Sequence, residues 1–252
     1  MTSSAPRRAH GRPELPLVIE VGGGAFTMGH ADIAEAEAPN PPHAVVLSPF
    51  AIGVHPVTNA EYGAFVQATG APAPATAGHP LFGAADRPVV GVGWVEAQGY
   101  CAWAGGSLPT EAQWEFAARG FDRRRYPWGE EAPDETRACF AEDWNSGGPG
   151  RVGERPAGAS PFGCHDMAGG VWEWCLDVFT LDAHVERVRA GVDPCVTGVG
   201  RVRPLRGGCW RSIECKLQVA YRNWSHEAAR HTTIGFRICV ASSPGLALEP
   251  RR

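Results

Sequence analysis

Apolar positions recur with two different periods along this chain, and the switches between them mark its elements. Val18 to Met28 reads as a strand, a glycine turn and a second strand, and Ala44 to Ile52 alternates enough to predict a further strand. Thr58-Asn-Ala-Glu61 is a capping box, its hydroxyl placed to take the backbone N–H three residues on, and it predicts a helix to Ala68 that Gly70 and Pro72 end. A second helix is predicted from Trp94 to Ala104, where Trp94, Ala97, Tyr100, Cys101 and Ala104 fall on one face and read as core. Thr110-Glu-Ala-Gln113, another capping box, opens a third helix that stops at Gly120, a residue suited to the left-handed position after a helix.

Composition narrows the class. The 252 residues show no polar linker or charge run that divides them, so one domain is expected over residues 17 to 242, with a flexible N-terminus at 1 to 16 and a C-terminal tail at 243 to 252. Hydrophobic residues at 44% suffice for a core, while 32 glycines and 22 prolines put much of the backbone in turns, giving a loop-rich α+β globule. The formal charge of -4 has no strongly basic segment behind it, and Arg123 to Arg125 reads as a solvated turn, so nucleic acid is not a partner indicated here. Met1 to Pro16 has two arginines but no apolar h-region, which supports neither export nor a membrane span and makes a cytoplasmic setting the expectation. Eight cysteines in such a chain are expected as thiols, and the absence of any CxxC excludes a zinc ribbon. Cys164 and His165 are adjacent, but neighbours on extended chain point to opposite faces.

Several runs then occur in a telling order: Gly22-Gly-Gly-Ala-Phe-Thr-Met-Gly29, Pro56-Val-Thr-Asn-Ala-Glu-Tyr-Gly-Ala-Phe65, Leu108-Pro-Thr-Glu-Ala-Gln-Trp-Glu-Phe-Ala-Ala-Arg119, Tyr126-Pro-Trp-Gly129, Asp166-Met-Ala-Gly-Gly-Val-Trp-Glu-Trp174, Arg206-Gly-Gly-Cys-Trp210 and Ile234-Gly-Phe-Arg237. Together they resemble the formylglycine-generating, or sulfatase-modifying-factor, family over about residues 17 to 242. The resemblance implies that family's variant of the C-type-lectin-like fold: little regular secondary structure, a small antiparallel sheet, about three helices and long loops. No HxxxHxE run occurs, so the iron triad of the related sulfoxide synthases is missing.

The resemblance also implies a structural Ca²⁺ held by the side chains of Asp166 and Glu173 and the carbonyls of Gly169 and Val171. Two carboxylates seven residues apart would repel if buried without a cation, which is consistent with that site. Gly170 stands where the family usually has Asn, and Cys139 stands where a second calcium site begins with Asn, so one site is expected. The oxidases of the family hold Cu(I) between two cysteines separated by four residues; here the loop reads Cys209-Trp-Arg-Ser-Ile-Glu-Cys215, with five between and the first at the family's pocket serine. Three readings of Cys209 and Cys215 stay open: buried structural thiols, a displaced Cu(I) pair, or a metal-free redox pair or nucleophile activated by Arg206, Arg211 or Arg222. By the same resemblance Trp172 shapes an oxygen pocket, with plain core packing as the alternative, and Arg222 orients substrate or a loop carbonyl.

The function these readings imply is an O₂-dependent oxidoreductase acting on a cysteine or related group of a peptide, protein or small-molecule thiol, with Cys209, Cys215, Trp172 and Arg222 at the site. A non-catalytic ligand- or protein-binding module is the alternative, favoured by loss of the family's copper spacing.

Overall fold

The computed structural model describes residues 5–12, 15–31, 38, 40–145, 147–181 and 192–242. Both predicted capping boxes form. Helix α1 spans Asn59–Thr69: Thr58 Oγ1 accepts the Glu61 N–H at 3.2 Å while Glu61 Oε2 accepts the Thr58 N–H at 2.9 Å, and Gly70 closes the helix at φ 71°. Helix α2 covers Trp94–Trp103, and α3 covers Glu111–Arg119 behind its cap at Thr110, with Gly120 after it. Each cap satisfies N–H groups that a helix start otherwise leaves without partners.

The strands are short and lie in three sheets. Arg7–Arg8 (β1), Leu17–Val21 (β2), Phe50–Gly53 (β5) and Cys239–Ala241 (β10) form an antiparallel sheet in the order β1-β2-β5-β10. Gly24–Met28 (β3) and His43–Leu47 (β4) form a two-stranded ribbon. Trp172–Trp174 (β6), Val202–Arg206 (β7), Asn223–His226 (β8) and Ile234–Gly235 (β9) form a third sheet, β8-β7-β6-β9, in which β6 and β9 run parallel. Three helices and three small sheets among the described residues, antiparallel except for the β6–β9 pair, give the loop-rich α+β fold that was expected.

Two local differences have plain causes. The strand predicted from Ala44 to Ile52 divides into β4 and β5, which lie in different sheets, because Pro49 has no N–H for a ladder and the Ser48 N–H is taken by Asp193 Oδ1 at 2.7 Å. The N-terminus, expected to be flexible up to Pro16, is tied down from Arg7: β1 pairs with Leu17 and Val18, and Ala9 and Leu15 are fully buried. The tail from 243 lies outside the described residues.

Two large clusters and a small third one, Tyr126, Ala138, Ala168 and Leu217, form the core among the described residues. Of the two large ones, one gathers Tyr62, Phe65, Tyr100 and Phe236 with Trp172, Trp174, Trp210 and Tyr221; the other packs α3 against the β3–β4 ribbon through Phe26, Phe116 and Phe162. Tyr62 stacks on Tyr100 at 5.7 Å and Phe116 meets Phe26 at 4.9 Å, so aromatic faces join helix to helix and helix to ribbon. Helix α3 is buried on every side, and that places Glu111, Glu115 and Arg119 inside the protein with the apolar residues. Their charges need partners, and those partners organise the site region.

Candidate functional site

Residues 165–174 form a loop that ends in β6 at the centre of the third sheet. Its turn depends on Gly169 at φ 80°, where a Cβ would collide with the Cys139 carbonyl oxygen. Asp166, also left-handed at φ 57°, is half-buried and accepts the Gly153 N–H on Oδ2 at 2.7 Å; burial pushes its carboxyl up from the ordinary aspartate value. Glu173 is fully buried. Its Oε2 accepts Arg237 Nε–H at 2.6 Å and Trp114 Nε1–H at 2.8 Å, and its Oε1 accepts Arg237 Nη2–H at 2.7 Å.

Ca²⁺ draws on roughly six to eight oxygens at once. Both oxygens of Glu173 face a guanidinium that would repel the ion, and Asp166 turns an oxygen to the Gly153 amide. Among the described residues no group of three or more His, Cys, Asp or Glu side chains is arranged to hold a metal. The side chains expected to ligate calcium therefore do not fit it as they stand.

The neighbouring charges form a second network. Glu111 accepts Arg222 Nε–H and Nη2–H, each at 2.8 Å, and Arg206 Nη1–H at 3.2 Å. Glu115 is paired to Arg206 and to Arg119, the latter at 2.7 Å, and also accepts the Gly29 N–H and the Asn40 amide. The two guanidiniums hold the Glu115 carboxyl below its usual value despite full burial. Arg222, expected to orient substrate or a loop carbonyl, is buried and forks onto the first turn of α3, with Phe179 against its face.

The cysteine loop follows β7. Gly207, at φ 95°, packs beside the Trp114 ring, and its carbonyl accepts the Gly169 N–H at 2.8 Å; Trp210 N–H returns to the Gly170 carbonyl at 2.8 Å. These bonds lace the cysteine loop to the 165–174 loop. Cys209 is 4% exposed, and Ser212 brackets it: Ser212 Oγ accepts the Cys209 N–H at 2.9 Å and donates to Cys209 Sγ at 3.4 Å. Burial pushes the Cys209 thiol up, outweighing the Ser212 hydrogen bond and the nearby Arg211. Of the three arginines considered as activators, Arg206 and Arg222 pair with Glu111 and Glu115, and Arg211 is the one that acts on the Cys209 thiol, drawing it down against the larger effect of burial.

Cys215 sits half-buried in a 3₁₀ turn, Glu214–Leu217, beside Tyr126, whose hydroxyl donates to Glu214 Oε1 at 3.2 Å. Ser212 and Arg211 act on the Cys209 sulfur. A Cu(I) pair would need both sulfurs turned onto one ion, which would itself displace the Cys209 proton and the Ser212 hydroxyl now bonded to that sulfur. No step is assigned to copper. Trp172, 6% exposed, lies 6.0 Å from Tyr221 in the same core cluster as Cys209, Trp210 and Cys139.

Sequence reasoning missed the outer face of this loop. Glu142 N–H donates to the Trp210 carbonyl and Ala141 N–H to that of Ser212, bringing the 139–145 segment alongside the cysteines. Trp144, 54% exposed, stacks on Trp210 at 5.9 Å, and the Arg211 guanidinium lies 4.2 Å from its ring centre. A tryptophan set among Glu142, Asp143 and Asn145 was the available signal, since polar company argues against a core position.

Comparison with known proteins places this geometry. A formylglycine-generating enzyme from Thermomonospora curvata is 33% identical over 286 aligned residues that cover 89% of this chain and 93% of that protein. A hercynine oxygenase from Mycobacterium tuberculosis is 36% identical, covering 79% of this chain and 54% of its own. The serine/threonine-protein kinase pkn1 of Chlamydia pneumoniae is 34% identical over 90% of this chain, which spans only 38% of that relative's length. Among solved structures, PvdO from Pseudomonas aeruginosa superposes with a TM-score of 0.79 at 22% identity over 96% of this chain and all of that one, and Treponema denticola variable protein 1 with 0.73 at 21% over 94% and 99%. These two show the shared fold. The family model for the sulfatase-modifying factor enzyme 1-like domain matches residues 3–242, and the chain belongs to that formylglycine-generating-enzyme-like family.

Proposed function

We propose that this chain is an oxidoreductase of its family, using O₂ to oxidise a cysteine or related thiol of a peptide, protein or small metabolite at the Cys209 loop. The observation that carries the reading is the enclosure of the Cys209 thiol, 4% exposed, in one cluster with Trp172, Trp210 and Tyr221. An apolar shell around a sulfur limits the water that would intercept reactive intermediates. Relatives named formylglycine-generating enzyme and hercynine oxygenase support an oxidase-type chemistry. The eight thiols, none in a disulfide, accord with a reducing, cytoplasmic setting.

In this reading Cys209 is the reacting thiol, Trp172 and Tyr221 belong to the aromatic core it shares, and Cys215 stands in its own 3₁₀ turn. A substrate thiol reaches Cys209 only when residues 210–213 move aside, because Ser212 and Trp210 cover it.

A second reading has a specific observation in its favour. The exposed Trp144 ring between Trp210 and Arg211 is a stacking surface that needs no redox chemistry, as a binding module would present. One experiment separates the two: O₂ uptake by the reduced protein with a cysteine-containing peptide, with and without added copper, for wild type and Cys209→Ser. Uptake by wild type that Cys209→Ser abolishes supports the oxidoreductase; equal rates in both remove Cys209 from the chemistry. No uptake under either condition leaves the binding module.

A further inference from the structure

We propose that Arg237 fastens the 165–173 loop in this chain, taking up both oxygens of Glu173, one of the side chains expected on a calcium ion, so that the loop is held without a metal. The guanidinium binds both ends of the loop at once. Its Nη2–H groups reach the His165 carbonyl at 3.0 Å and Glu173 Oε1 at 2.7 Å, while Nε–H reaches Glu173 Oε2 at 2.6 Å. Nη1–H extends the fastening to the Gly53 carbonyl of β5 at 2.9 Å. One planar cation thus joins the start of the loop, its end in β6 and the first sheet.

The chemistry of this position favours a guanidinium over a dication. Both partners of the Glu173–Arg237 pair are fully buried, and Trp114 Nε1–H adds a third donor to the carboxylate at 2.8 Å. The fork of Arg237 matches the two carboxylate oxygens in one plane, a geometry that lysine cannot reproduce. A Ca²⁺ ion on Glu173 would lie beside that cation. Asp166 gives Oδ2 to the Gly153 amide, and Cys139, at the position where the family's other calcium site begins, gives its thiol hydrogen to the Gly148 carbonyl at 3.3 Å.

Thermal unfolding of the full chain in EDTA and in millimolar CaCl₂, with calorimetric titration of Ca²⁺ alone into the EDTA-treated protein, tests the inference. The expected result is one melting temperature in both solutions and no saturable heat. An ion bound at a hundred times its dissociation constant would raise the melting temperature by about 5–10 °C, and such a rise, or one-to-one heat, overturns the proposal. Arg237→Lys supplies the second arm. It keeps the charge and loses the fork, and is expected to lower the melting temperature by several degrees equally in EDTA and in CaCl₂. A variant as stable as wild type, or one rescued by Ca²⁺, rejects Arg237 as the fastener. If Arg237→Lys does not fold, the wild-type measurements decide alone. Neither arm depends on whether the protein oxidises thiols.

Discussion

Glu173 and Cys209 stand on two loops laced together by the Gly169–Gly207 and Gly170–Trp210 hydrogen bonds, and both are nearly fully buried, yet the protein treats them in opposite ways. Glu173 is met by a guanidinium fork, whereas Cys209 has one hydroxyl beside it and burial leaves its thiol protonated. One region answers burial with a counter-charge, the other with a proton. The difference teaches that burial alone does not set a group's charge; the partners the fold brings to it do. It also sets where instability and pH dependence should arise.

The sharpest way to break that contrast is to remove a counter-charge. Glu115→Ala leaves Arg119 and Arg206 without the carboxylate they share, and it should cost about 3–5 kcal/mol in urea unfolding or prevent folding altogether. A loss below about 1 kcal/mol would mean that the network contributes charge balance but little stability.

Asp177 sharpens the comparison, because it is a carboxylate handled as the thiols are. It is buried, accepts the Glu111 N–H at 2.8 Å and the Val196 N–H at 2.9 Å, and burial, with the Glu111 charge second, pushes it up from 3.8 to about 7. A raised folded-state value means that the folded protein holds this proton more tightly than the unfolded chain. The stabilisation is complete below the unfolded value and is lost as pH rises through about 7. The stability of wild type relative to Asp177→Asn should therefore fall with rising pH between about 4 and 7, by up to a few kcal/mol. Parallel pH profiles for the two proteins would show Asp177 to be ionised throughout.

The thiol side predicts smaller effects. Cys209→Ala removes the sulfur that accepts the Ser212 hydroxyl and should cost about 1 kcal/mol. In the native protein iodoacetamide should label Cys215 before Cys209, followed by peptide mapping, since Cys215 is half-buried and Cys209 is covered and protonated. Labelling in the reverse order would mean that the 210–213 segment opens readily.

What the sequence made legible follows the range of the interaction. Thr58 and Thr110 announce their helices because a capping box spans three residues, and both were found where expected. The run from Asp166 to Trp174 located the central loop and the family. The partners were not legible: Glu173 meets Arg237, 64 positions away, and Arg222 meets Glu111 across 111. Motif order shows that these residues occur, while only packing decides which carboxylate each guanidinium reaches. The same limit explains the division of Ala44–Ile52, where alternation continues but Pro49 sends the two halves to different sheets.

The short path from Ile234 to Ala241 has a consequence for how the molecule is made. Ile234–Gly235 completes the third sheet beside β6, Arg237 fastens the central loop, and Cys239–Ala241 completes the first sheet beside β5. Eight consecutive residues thus finish both sheets, so a nascent chain halted before them has neither β9 nor β10 to close its edges. Final closure awaits release of this segment from the ribosome, and until then the exposed edges of β5 and β6 are where a chaperone, or another nascent chain, would pair first.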